Sequence, residues 1–193
     1  MKAVKIPDSV TIIGDHAFYE CEMLDTVVLP SNLREIHSYA FWYCSSLKTI
    51  TIPKTLKVSK DFNGGPFAGC TSLTSATIED GMETIPSYLF RGCSALENIL
   101  LPNSISTIGN NAFQDCVMLQ NVLLPTDLIE IGNSAFSNND MLENLVIPTS
   151  VTTVGYSAFY SCDKLILECS NDAVANYAAK NNISYREVQN EQF

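Results

Sequence analysis

Seven phenylalanines fall on one ruler. Phe18, Phe41, Phe67, Phe90, Phe113, Phe136 and Phe159 are 23 residues apart, with a single gap of 26 between Phe41 and Phe67. Six residues after each stands a leucine: Leu24, Leu47, Leu73, Leu96, Leu119, Leu142 and Leu165. A period of this length means stacked supersecondary units, each touching only its neighbours, rather than a chain closed around one compact core. That constraint fixes most of the architecture and leaves little room for most chemistries.

Within the unit best preserved, Leu119, Val122, Leu124, Pro125, Leu128, Ile131, Gly132, Ala135 and Phe136 hold the frame. The same frame fits Leu24 to Pro30 and Leu142 to Pro148. Aliphatic residues alternating just before a proline predict a short strand. The proline stops it, because a ladder needs the N–H that proline lacks. After a turn marked by Ser, Thr or Asn the spacing changes: Ile108, Ala112, Phe113 and Cys116 are four, one and three apart. That spacing predicts a short helical stretch with one apolar side.

A single coil of this kind cannot bury its apolar face alone. Stacking joins the faces into one core and turns each inner position into a ladder of like residues. Ile13, Ile36, Ile85, Ile108, Ile131 and Val154 form such a ladder beside the phenylalanines. With strands about 4.8 Å apart, the coils make a rod roughly 30 Å long. The expected fold is an α/β solenoid of seven coils of about 23 residues, with a parallel sheet on one face and short helical segments on the other. Residues 1–165 form the array, and residues 166–193 are expected to cap it with a helix and a strand.

The pattern Leu-x-x-Val-x-Leu-Pro-x-x-Leu-x-x-Ile-Gly-x-x-Ala-Phe-x-x-Cys resembles the BspA-like class of leucine-rich repeats. The resemblance covers residues 1 to about 165, and several ladders recur together in all seven units. It implies a secreted or surface-attached protein of a bacterium or protist, associated with adhesion to host or matrix proteins and with contacts between cells. The chain departs from the pattern in places. Asn139 stands where a cysteine is expected and Glu79 where a proline is. His37 and Pro86 occupy the position held elsewhere by Gly14, Gly109, Gly132 and Gly155.

Lys and Arg number 11 against 21 Asp and Glu, a formal net charge of −10. Nucleic-acid binders neutralise phosphates with cationic stripes. None is found here, and long-range repulsion opposes DNA, RNA or an anionic membrane surface. The acidity reads as solubility for a rod with a large surface.

Six of the seven cysteines (Cys21, Cys44, Cys70, Cys93, Cys116 and Cys162) lie three residues after their phenylalanine. A zinc site needs about four converging ligands, whereas a ladder offers one thiol per coil. The ladder reads as buried small hydrophobes, a common role for free cysteine. No metal and no cofactor are expected. Cys169 stands outside the repeat, and thiol reagents are expected to reach at most this residue in the native chain.

No span approaches the roughly 20 apolar residues that cross a bilayer, so no membrane insertion is expected. Met1 to Pro7 already fits the strand frame and carries no apolar signal region. Solenoids usually start with an atypical capping unit. The expectation is therefore a fragment of a longer exported protein, extracellular or at the cell surface; a native start at Met1 would place it in the cytoplasm. At the other end, Ser170, Asn171 and Asp172 offer N-cap side chains before alanine-rich residues 173–180. Asn181 and Asn182 end that helix, and Ile183 to Tyr185 alternates like a final strand.

Three surfaces are candidates for function. The second residue after each repeat leucine and the fourth should face outward on the sheet. In the C-terminal half these give Asn98, Asn121 and Asn144 beside Leu100, Leu123 and Val146. Exposed aliphatic strips often mark binding surfaces; aliphatic and amide stacking within a parallel sheet is the structural alternative. The second surface is aromatic: Tyr39, Trp42 and Tyr43, with Tyr19 and His16 one coil away. Such residues suit protein or sugar contacts, or fold down over the helical side. The third is the insertion, Lys60 to Pro66, which reads as a loop. No phosphate loop, metal motif or nucleophile elbow appears, and no catalytic residue is assigned. The sequence thus predicts a non-catalytic protein-binding solenoid. Its partner is expected to be a host or matrix protein, with an intracellular interaction scaffold as the alternative.

Overall fold

The computed structural model describes residues 1–58 and 64–187. Lys60 to Asn63 of the insertion lie outside the described residues. The first coil holds β1 (Ala3–Lys5) and β2 (Ile12–Ile13), and the second β3 (Thr26–Val28) and β4 (Glu35–Ile36). The third holds β5 (Thr49–Ile52) and β6 (Lys57–Val58), and the fourth β7 (Ser75–Ile78) and β8 (Thr84–Ile85). Next come β9 (Asn98–Leu100) with β10 (Thr107–Ile108), and β11 (Asn121–Leu123) with β12 (Glu130–Ile131). The seventh coil has β13 (Asn144–Val146) and β14 (Thr153–Val154). After it follow β15 (Ile166–Cys169), helix α1 (Asp172–Lys180) and β16 (Ser184–Glu187).

The odd-numbered strands up to β11 form one six-stranded parallel sheet, and β13, β15 and β16 continue as a three-stranded sheet. Their middle residues point inward and their flanking residues outward, so Thr26–Val28 and Asn121–Leu123 share an exposed–buried–exposed pattern. Thr49 pairs with Ser75 and Ile52 with Ile78, so register on this face passes the insertion unchanged. In sequence the extra residues fall between β6 and β8, where the narrow ladder of the opposite face divides into two sheets.

A second face carries two narrow sheets of two-residue strands, β2-β4-β6 and β8-β10-β12-β14. Here Ile13, Ile36, Ile85, Ile108 and Ile131 turn their side chains into the core. The third side was expected to be helical. Helical structure there is minor, and consecutive turns replace it. The amides of Asn111, Phe113 and Asp115 bond carbonyls of the next coil (Asn133, Ala135 and Ser137, 2.8–2.9 Å). The intervening amides of Ala112, Gln114 and Cys116 close four-residue turns on the carbonyls of Gly109, Asn111 and Phe113. Backbone groups must be paired somewhere, and neighbouring coils supply partners that a free helix would have to find within itself.

The core runs the length of the stack. Phe41 through Phe159 are buried, with successive rings roughly parallel; Phe113 and Phe136, for example, have centroids 5.2 Å apart at 15°. Phe18 in the first coil is half-buried. Coil-to-coil approach is closest where glycine stands: a Cβ on Gly155 would lie 2.4 Å from the nitrogen of Asn133. At the far end, α1 packs Val174 and Ala178 inward, and the Tyr177 ring meets Phe159 edge-on at 6.1 Å. Asn171 caps α1 by accepting from the Val174 amide at 2.9 Å.

Candidate functional site

The sheet face carries the aliphatic strip. Parallel pairing puts Asn121 opposite Asn98 and Leu123 opposite Leu100. The Asn121 side-chain amide donates to Asn98 Oδ1 at 3.3 Å. Leu100 and Leu123 are 72% and 74% exposed. A shallow depression of about 430 Å³ adjoins Leu100, bordered by Ser75, Thr77, Asp80 and Pro102. Val146 and Asn144 are also exposed but belong to the following sheet, in register with Glu168 and Ile166 of β15. The paired Leu100 and Leu123 thus form the continuous part of the strip.

The aromatic group lies on the turn side. His16 stacks on Tyr39 at 5.2 Å, Tyr19 on Trp42 at 4.8 Å, and Trp42 meets Tyr43 at 4.0 Å and 49°. Tyr39 and Trp42 are half-buried, while Tyr19 and Tyr43 stay exposed. The rings therefore cover one another more than they cover the core. Trp42, Tyr43 and Tyr39 wall a hollow of about 330 Å³ whose far edge is Arg91 and Asp115. Arg91 Nε lies 3.8 Å from Asp115 Oδ2. The sequence reading did not single out Arg91, Asp115 or the glycines between; reading the position two residues after each phenylalanine would have found Gly69, Gly92 and Asp115, and the position one residue after would have found Arg91 beside Trp42. Of the insertion, Gly64 lies beneath the Tyr39 ring, where a Cβ would clash with it.

All seven cysteines are free thiols. Cys169, expected to be the accessible one, is 3% exposed in β15, and Cys21 in the first coil is only half-buried. Burial decides this: β15 is an inner strand flanked by β13 and β16, whereas Cys21 has no coil before it among the described residues. Among the described residues, no three His, Cys, Asp or Glu side chains gather to hold a metal ion. No helix among them is long and apolar enough to cross a membrane.

The profile of the BspA type leucine-rich repeat region matches residues 1–63 and 60–185, in six copies. The chain belongs to the BspA-type leucine-rich repeat family. Solved structures of bacterial leucine-rich repeat proteins share its fold. One from Bacteroides ovatus is 24% identical with a TM-score of 0.76, covering 98% of this chain and 54% of its own. One from Eubacterium ventriosum is 28% identical with a TM-score of 0.74, covering 83% and 43%. The T. pallidum leucine-rich repeat protein is 28% identical with a TM-score of 0.76, covering 95% and 85%. The chain therefore spans about half the length of the first two. No curated protein sequence matches it. Leucine-rich repeat solenoids of this kind are protein-interaction modules and typically not catalysts.

Proposed function

We propose that this BspA-type array is a non-catalytic adhesion module of an exported or surface-attached protein, binding an extracellular host or matrix protein through its sheet face. The observation that carries the reading is the in-register pair Leu100 and Leu123, each more than 70% exposed beside the bonded amides of Asn98 and Asn121. Protein interfaces concentrate energy in a few apolar anchors ringed by polar groups that exclude water. The strip has that composition, with Asn144 and Val146 extending it into the next sheet. The family resemblance supplies the class of partner and the location. In the same reading, residues 166–187 close the end of the array; the rest of the expected cap, to 193, lies outside the described residues.

The test is capture of the chain by a panel of purified extracellular-matrix proteins. Replacing Leu100 and Leu123 with Lys should weaken capture by about tenfold or more, since both are anchors (hot-spot truncations cost about 2 kcal/mol or more). Circular dichroism should be unchanged, because both side chains already face solvent. If no matrix protein captures the chain, the reading fails. It also fails if replacing Tyr39, Trp42 and Tyr43 abolishes capture while the lysine pair does not.

A further inference from the structure

Two residues beyond each phenylalanine the backbone turns left-handed. Glu20, Tyr43, Gly69, Gly92, Asp115, Asn138 and Ser161 have φ between 52° and 73°. Five of these carry side chains, so the left-handed backbone alone does not demand glycine here. Gly69 and Gly92 are adjacent in the ladder; the Tyr43 ring fills the space over Gly69, and that over Gly92 stays open as a notch. At Gly69 packing explains the glycine, because a Cβ would lie 2.6 Å from Cδ2 of the Tyr43 ring above it. At Gly92 it does not: the nearest atom to a Cβ would be the Gly69 nitrogen, 3.5 Å away, an ordinary contact. Gly92 keeps open a space that the fold could fill.

The notch has unlike walls. On one side stand the tilted rings of Trp42 and Tyr43. On the other, three coils from Tyr43 and so about 14 Å away, stands Asp115, with Arg91 reaching it from the coil between. Asp115 is held from both sides, by Arg91 at 3.8 Å and by the Asn138 side-chain amide, which donates to its Oδ1 at 2.6 Å. Groups fixed before a ligand arrives lose less freedom on binding.

We propose that this notch binds a neutral oligosaccharide, one sugar ring lying with its C–H face on the exposed Tyr43 ring that Trp42 backs, and the hydroxyls of the adjoining ring meeting Arg91 and Asp115. A guanidinium only donates and a carboxylate only accepts, whereas a hydroxyl does both. Neighbouring hydroxyls can therefore satisfy both groups at once. A proline-rich peptide also docks on aromatic grooves, but it offers chiefly carbonyl acceptors, proline having no N–H. Those acceptors could meet Arg91 but would give the Asp115 carboxylate no donor beyond the Arg91 and Asn138 contacts it already has. An aromatic cage for a quaternary ammonium is spoiled by the Arg91 charge beside it. An acidic sugar would meet Asp115 and a net charge of −10. The site lies on the turn side, so it stands or falls independently of the strip on the sheet face.

Trp42 is the only tryptophan, so fluorescence excited at wavelengths that tyrosine does not absorb reports on the surroundings of this one ring. The chain is titrated with cellohexaose, maltohexaose and mannohexaose, and with decaproline and a trimethyl-lysine peptide for the competing chemistries. A saturable Trp42 response to at least one hexasaccharide is expected. Calorimetry should then show Gly92→Asn and Tyr43→Ala each weakening binding by about tenfold, as loss of a stacking or shape contact does. The lysine pair at Leu100 and Leu123 should leave it unchanged. Gly92→Asn suits the backbone, since Asn138 occupies the same ladder position with φ 60°. The proposal is overturned if none of the hexasaccharides saturates, if either peptide binds more tightly, or if binding survives both notch variants.

Discussion

The Sγ of Cys116 donates to the main-chain carbonyl of Phe90 across 3.2 Å, tying each coil's last turn to the coil before it. Cys44, Cys70, Cys93 and Cys162 repeat the contact with Phe18, Phe41, Phe67 and Phe136 at 3.0–3.3 Å. The ladder is thus more than apolar filling. Each thiol is a donor to a phenylalanine carbonyl inside the core, in most coils beside the backbone amide that already closes the turn there.

Reactivity should follow this burial. Thiolates react and buried thiols do not. A maleimide added to the native chain at neutral pH should modify Cys21 first, and Cys44, Cys70, Cys93, Cys116, Cys162 and Cys169 only on unfolding. Peptide mapping of the labelled sites checks this. Modification of Cys93 as fast as Cys21 would remove the thiols from the core.

Alkaline pH should loosen the array through the same groups. Desolvation pushes Cys44 up to about 12 and Cys162 up to about 11, and holds Cys70, Cys93 and Cys116 well above their ordinary 9.0. Above pH 9 the unfolded chain therefore releases protons that the folded chain keeps. The folded state then binds more protons, and stability falls as pH rises. The contribution is whole below about 9 and is lost on the way to 11 and 12. Tyrosine and lysine titrate nearby, so the control is a Cys93→Ala, Cys116→Ala chain. Its melting temperature should decline less between about pH 8 and 10.5 than that of the parent. Parallel declines would show that these thiols are not held protonated.

Asn139 breaks the ladder. It is fully buried, and neither its side-chain oxygen nor its nitrogen has a hydrogen-bond partner. A buried polar group left unsatisfied costs about 1–3 kcal/mol. Restoring the repeat with Asn139→Cys should place a thiol opposite the Phe113 carbonyl and raise stability by an amount in that range. Chemical denaturation measures the gain. A destabilised Asn139→Cys chain would mean that the asparagine is satisfied in a way its neighbours do not reveal.

Much of this was legible in the chain, for local reasons. Alternation before each proline sets which residues face out on the sheet, and Leu100, Leu123, Asn98 and Asn121 all follow it. Asn171, the alanines and Asn181 likewise marked α1 and its ends. The turn side was harder, because the four-one-three spacing of Ile108, Ala112, Phe113 and Cys116 suits a helix and a stack of turns alike. What separates them is where the amides go, and those partners sit 22 residues further along, as with Phe113 and Ala135. The notch was hidden for the same reason. Tyr43, Gly92 and Asp115 become neighbours only when coils stack, and a left-handed turn that accepts Glu20 and Tyr43 gives no glycine signature.

The last prediction concerns the end of the stack, where Asn171 does two jobs. Its Oδ1 caps α1, and its Nδ2 donates to the Val151 carbonyl at 2.9 Å. Ser150 and Thr55 bridge to the preceding coil in the same way, reaching Leu128 and Leu33 at 2.6 and 2.7 Å. Asn171→Ala removes both contacts and should cost about 1–2 kcal/mol, toward the upper end for an N-cap. Asn171→Asp keeps the cap but loses the donor, so it should fall between Ala and the parent. Because coils contact only their neighbours, hydrogen exchange should speed up at Val174 to Ala178 and at the Phe159 amide that leans on Tyr177. Amides near Phe90, three coils away, should hold their protection. Equal loss of protection along the whole rod would mean that α1 is not a local closure but part of a single cooperative unit, and the proposal that residues 166–187 cap the array would fall with it.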